Sequence, residues 1–140
     1  MAIGRLRTRF PREDGAAAVE FALVMAILVL LLFGILEFGR VEAHIEIFEG
    51  AAREGARRAA VGESYDDIVQ AVRAHADPYD PDDPISVAVE GTTDTTCGES
   101  ELTVGRQVSV SWTQTFDITI PLWDNVTIDR EIRGVFRCEK

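Results

Sequence analysis

The sequence is poor in the residues from which catalytic sites are built. Its 140 residues include two histidines, His44 and His75, and two cysteines, Cys97 and Cys138. Neither histidine has a serine or cysteine nucleophile beside it. No His-Glu-x-x-His pair and no glycine-rich phosphate loop occurs, so zinc-peptidase and nucleotide chemistry lack their usual carriers. Two cysteines without paired histidines are too few for a zinc site. Carboxylates are plentiful, but abundance alone does not tune a pKa. The chain therefore reads as a non-enzyme with no cofactor, no metal and no small-molecule substrate. Positive charge is scarce as well. Fourteen Lys and Arg face 24 Asp and Glu, a net charge of -10, which excludes nucleic acid as the expected partner. Proline is missing between residues 12 and 77, so nothing there forbids a long helix. With 46% hydrophobic residues, the chain is not a disordered acidic tail.

What is present is segregated. Residues 1–15 carry Arg5, Arg7, Arg9 and Arg12 against Glu13 and Asp14, a net of +2 that leaves -12 for residues 16–140. Between head and body lies AAAVEFALVMAILVLLLFGIL, residues 16–36, whose one charge is Glu20. As a helix this run is about 32 Å long, which matches the hydrocarbon thickness of a bilayer. So small a protein cannot cover such a run on every side, and the membrane is its expected surrounding. The basic flank puts the N-terminus in the cytoplasm and the body outside.

A plain anchor does not account for Glu20, because an ionised side chain inside an apolar run costs a few kcal/mol unless it is interfacial or paired. Gly15 and Ala16 suggest an explanation. Cleavage between them would give Ala16 a free amine and make Glu20 the fifth residue of the mature chain. Amine and carboxylate can then neutralise each other, most readily between neighbouring copies, and the carboxylate sits near a helix N-terminus that favours it. Neither residue brings bulk to a peptidase cleft. The heptapeptide Gly15-Ala16-Ala17-Ala18-Val19-Glu20-Phe21 resembles the processing site of type IV prepilins. The longer stretch GAAAVEFALVMAILVLLLFGILEFGR, with AAREGARRAA downstream, resembles the TadE-like minor pilins, or pseudopilins, of tight-adherence pili. The resemblance is dense over residues 15–60 and loose beyond. It implies cleavage by a prepilin peptidase at the cytoplasmic face, partnership with other pilin and pseudopilin subunits and the assembly machinery, and a part for Glu20 in processing or assembly. The alternative is an unprocessed single-pass anchor carrying an extracytoplasmic binding module. Ordinary secretion, cut after Val41-Glu42-Ala43, would need a 43-residue leader against the usual 15–30 or so.

The organisation expected is a leader over 1–15, a transmembrane segment over 16–38, an amphipathic helical stalk over 39–62 and a small α+β domain over 63–140. Val41, Ile45, Phe48, Ala52, Gly55 and Ala59 recur at spacings of four and three, a helical stripe. A helix over 16–60 would be about 67 Å long. Glu49–Arg53 and Glu54–Arg58 support it at i,i+4. Ala52, Gly55, Ala56 and Ala59 leave one side almost without bulk, which permits close approach of another backbone. That partner is a helix of another subunit, the chain's own sheet, or both on different faces. Gly62 is the expected helix stop. Ser64 and Asp67 resemble a capping box, and Tyr65, Ile68, Val69, Val72 and Ala76 form a short amphipathic helix ending before Pro78.

Residues 77–84, DPYDPDDP, hold three prolines and read as a stiff linker. Their aspartates do not have calcium-loop spacing. From Ile85 the period becomes two. Ile85, Val87 and Val89 form one strand, Val108, Val110 and Trp112 a second, and Val126, Ile128 and Ile132 a third running toward Phe136. The fold class is α+β: a long N-terminal helix, a short second helix and a small antiparallel sheet of three or four strands, one face on a helix and one wet. In the exported compartment Cys97 and Cys138 are expected to be bridged.

Overall fold

A computed structural model describes residues 13–119 and 126–139. The basic leader with its four arginines, and the turn around Pro121 and Asn125, lie outside the described residues. The elements in chain order are α1 (Glu13–Ala60), α2 (Tyr65–Ala76), β1 (Ser86–Val89), β2 (Gln107–Ile118) and β3 (Val126–Arg137), with a 3-10 turn at Glu101–Thr103. The fold is α+β. The sheet is antiparallel, with three strands in the order β1-β2-β3.

Without proline to break it, α1 runs unbroken for 48 residues. Its surroundings change at one point. From Gly15 to Arg40 its residues are exposed apart from a half-buried Glu37, and Val41 is the first buried residue among those whose burial is described. From there Val41, Ile45, Phe48, Ala51, Ala52, Ala56, Ala59 and Ala60 enter the same core as Ile68 and Val72 of α2 and Val87, Val108, Val110, Trp112 and Ile132 of the sheet. The stalk and the residues after it thus share one core, and no break in packing falls at residue 62.

The helix stop is chemical. Gly62 adopts φ +86°, its N–H donates to the Ala59 carbonyl at 3.1 Å, and the Glu63 N–H donates to the Arg58 carbonyl at 3.2 Å. This is the left-handed ending that glycine adopts without steric cost. Two residues on, the Ser64 hydroxyl oxygen accepts from the Asp67 N–H at 3.3 Å and caps α2. Asp67 does not complete a reciprocal box. Its carboxylate accepts from the Ser64 hydroxyl at 2.6 Å.

The proline-rich loop is stitched to the body. Arg73 donates to Asp80 at 2.9 Å and to Asp83 at 2.8 Å, and Asp82 accepts from the Thr115 N–H at 2.8 Å. Buried Gln114 accepts from the Asp82 N–H at 3.0 Å and from the Trp112 indole at 2.9 Å. Asp80, Asp82 and Asp83 are thus occupied by protein donors.

Glu54 accepts twice from Arg57, both at 2.8 Å, and once from Arg58 at 3.0 Å. These bonds, Arg57 first, lower its pKa from 4.5 to about 2. The unfolded chain therefore takes up this proton first as pH falls. The contribution to stability is intact above pH 4.5 and is lost on the way down to about pH 2. The arginines are solvated, so the contribution is within the 0.2–1 kcal/mol or so of exposed pairs. Glu54→Gln should flatten the acid limb of a melting-temperature profile across that window. An unchanged profile contradicts the assignment.

Candidate membrane-spanning and processing segment

The N-terminal half of α1 is apolar and bare. Its most apolar 18-residue window has a mean hydropathy of 2.9, and none of that window is buried. A core helix of a soluble protein would be covered by its own chain. Here Phe21, Leu23, Ile27, Leu31, Phe33 and Ile35 all face outward. Exposure of this extent requires another phase or another protein. The helix is long and apolar enough to cross a membrane.

Gly15, Ala16, Glu20 and Phe21 occupy the first turns of this helix, and all four are exposed. Ala16 and Glu20 stand one turn apart on the same face. A methyl group added at Gly15 would meet nothing within 4 Å, so packing does not require glycine there. Gly34 and Gly39 are equally open.

Ala52, Gly55, Ala56 and Ala59 are placed differently. All four are buried inside the chain. A Cβ on Gly55 would lie 2.5 Å from Val72 Cγ2 and 3.4 Å from Val110 Cγ1, so α2 and β2 occupy the groove. On the neighbouring side β3 crosses so close that a Cβ on Gly134 would collide with the Ala52 carbonyl group and the Arg53 nitrogen. Of the two partners open to this stripe, the chain's own α2 and sheet fill it and leave it no surface for another subunit. The packing reason is mutual: α2 and two strands, β2 and β3, converge where α1 has no bulk.

Sequence reasoning missed the joint between the bare and buried halves of α1. Arg40 donates to both Glu37 oxygens, at 3.1 and 2.6 Å, and to the Asp117 carbonyl at 2.7 Å. Glu37 in turn accepts from the Thr119 N–H at 2.9 Å. This pair clamps the far end of the β2–β3 hairpin to the helix. The i,i+3 spacing of Glu37 and Arg40 was the only signal, and it speaks of a local pair, not of a strand 77 residues away.

His44 packs its ring on Tyr79 with centroids 4.1 Å apart. Burial first, and the Arg40 charge second, push its pKa below the ordinary value, which leaves it neutral near pH 7. Cys97 and Cys138 form a disulfide, with Cα atoms 5.5 Å apart. Among the described residues no group of three or more His, Cys, Asp or Glu is placed to hold a metal ion.

The family model described as TadE-like protein matches residues 15–57. Over this stretch the chain is TadE-like. The TadE-like segment opens at Gly15, takes in the whole bare half of α1 and ends one turn before the helix does. It excludes α2 and the sheet. Comparison with curated proteins and with solved structures gave no match.

Proposed function

We propose that this chain is a minor pilin, or pseudopilin, of a tight-adherence type IV pilus: a structural subunit cut by a prepilin peptidase between Gly15 and Ala16. The observation that carries the reading is the single helix of 48 residues whose bare apolar half lies within a TadE-like match opening at Gly15. Such a helix holds the subunit in the membrane before assembly. Its lipid-facing surface can then be exchanged for the helices of neighbouring subunits, because both surroundings are apolar. The new amine at Ala16 and the carboxylate of Glu20 give that exchange a polar register mark near the helix end. The N-terminus lies on the cytoplasmic side and the body outside. The Cys97–Cys138 disulfide accords with this orientation, since such bonds persist in oxidising compartments. Partners are the peptidase, other pilin and pseudopilin subunits and the assembly machinery.

Processing is the test. Co-expressed with the matching peptidase, the chain should yield a species whose N-terminal sequence begins at Ala16. Gly15→Phe should block that cut while leaving the membrane fraction unchanged, since the added side chain meets no neighbour. A chain that begins at Met1 in the presence of an active peptidase would make it an unprocessed anchor carrying a binding module.

A further inference from the structure

The body of this protein begins with almost no spacer above the apolar run, and that spacing has a geometric consequence. Leu36 ends the run and Val41, 4% exposed, is already core. Five residues of helix rise about 7.5 Å. The headgroup layer on each side of the hydrocarbon is itself about 5–7 Å deep. Among the described residues of the body, the part nearest the span is the Ile118–Val126 end of β2 and β3. It is held at that level by two bonds, Thr119 N–H to Glu37 at 2.9 Å and Arg40 to the Asp117 carbonyl at 2.7 Å. Helical side chains lean toward the helix N-terminus, so Glu37 draws the strand toward the bilayer.

The side chains at this end suit that level. Val126 pairs with Ile118 and Ile128 with Phe116. These positions share the sheet face that buries Ile132 higher up, yet Val126 is 44% and Ile128 38% exposed. Phe38, on α1 beside the clamp, is 71% exposed. On this face the β3 side is therefore bare at the end nearest the span, while Phe116 of β2 beside it stays buried against α1. The charges of the clamp are turned on each other and on the hairpin backbone. With a chain charge of -10, attraction to anionic lipid does not hold this end down, and the contact is apolar.

We infer that Val126 and Ile128, on β3 at the Ile118–Val126 end of the β2–β3 pair, dock on the phospholipid headgroup boundary of the membrane that α1 crosses. The inference rests on reading α1 as a membrane span. The docked hairpin fixes the tilt of the body on its helix while the subunit is in the bilayer. Extraction from the membrane uncovers this end.

The experiment uses the full chain in phosphatidylcholine vesicles at a low protein-to-lipid ratio, with an environment-sensitive fluorophore on an introduced cysteine. The native cysteines are bonded to each other and do not compete. Labels are placed at Val126→Cys, Ile128→Cys, Leu30→Cys within the span, and Leu102→Cys. Leu102 lies near the Gln107 end of β2, roughly 37 Å of strand from Ile118. Nitroxide-bearing lipid should quench the labels at 126 and 128 severalfold more than the label at 102, and their emission should shift to the blue. Quenching at position 30 without quenching at 126 or 128 overturns the inference and leaves that face to a protein partner, such as a neighbouring subunit. Absence of quenching at position 30 overturns the span itself, and the docking with it.

Discussion

Gly134→Val is expected to lower the melting temperature of the folded body by well over ten degrees. Gly134 lies on the inner face of β3 opposite Val110, where the strand crosses α1. Even a single added carbon would overlap the Ala52 carbonyl group and the Arg53 nitrogen. These are backbone atoms in mid-helix and cannot rotate aside, so strand and helix must separate. Separation opens contacts around Ala52, Ala56, Val110 and Ile132, all fully buried. Overpacking typically costs 1–3 kcal/mol and occasionally more. With backbone on both sides of the clash we expect about 3 kcal/mol or above, and each kcal/mol moves the melting point of a domain this size by roughly 4–8 °C. Gly134→Ala should follow in the same direction with a smaller shift. Gly39→Ala, which meets no neighbour, is the control and should not lower it. Thermal melts of the three variants by circular dichroism decide the matter. A Gly134→Val melt that coincides with the parent would disprove the close crossing.

Loss of the disulfide is the other large effect. Cys97 and Cys138 are 41 residues apart. Closing a loop of that length removes unfolded-state entropy worth about 4 kcal/mol on the chain-entropy estimate. The bond also sits where three pieces of chain meet. The Cys97 N–H donates to the Ala59 carbonyl at the end of α1, at 3.0 Å. The Cys138 N–H donates to the Arg106 carbonyl at 2.8 Å, just before β2. Both cysteines are buried. Replacing both by alanine should cost about 2–5 kcal/mol, as in other small domains that lose a native bridge. Denaturant titration should show an earlier midpoint for the double variant. Reductant should move the parent toward it and leave the variant where it is. Coincident midpoints for parent and variant would mean that the bridge adds nothing to the fold.

The two effects mark different degrees of legibility. The cysteine pair could be read directly, because an exported chain with two cysteines has only one internal pairing. Gly134 could not. A glycine in a strand hints at close approach, but the hint names no partner, and the stripe at Ala52 lies some 80 residues earlier. That stripe was legible as small and left its partner open between another subunit and the chain itself. β2 was read only as far as Trp112, because the next inward position is Gln114. In the folded protein Gln114 is a buried acceptor for the Trp112 indole and the Asp82 N–H, and the strand continues to Ile118. Val126 and Ile128 kept the period of a buried face and yet stand in the open, since burial depends on where α1 passes and not on alternation. Tyr65, read as part of the apolar face of α2, stays exposed and donates its hydroxyl to the Ile85 carbonyl at 2.8 Å.

The sequence by itself determined the long helix, its apolar half, its stop at Gly62, the second helix with its serine cap, the strand periodicity and the cysteine pair. Each of these is set by near neighbours: i,i+4 spacing, a residue that tolerates positive φ, alternation, or a count of two. Tertiary structure alone decided what the small stripe of α1 touches, how β3 crosses it, and how the hairpin is clamped at Glu37 and Arg40. Those contacts join residues some 80 positions apart, and local pattern carries no information about which distant surface will arrive.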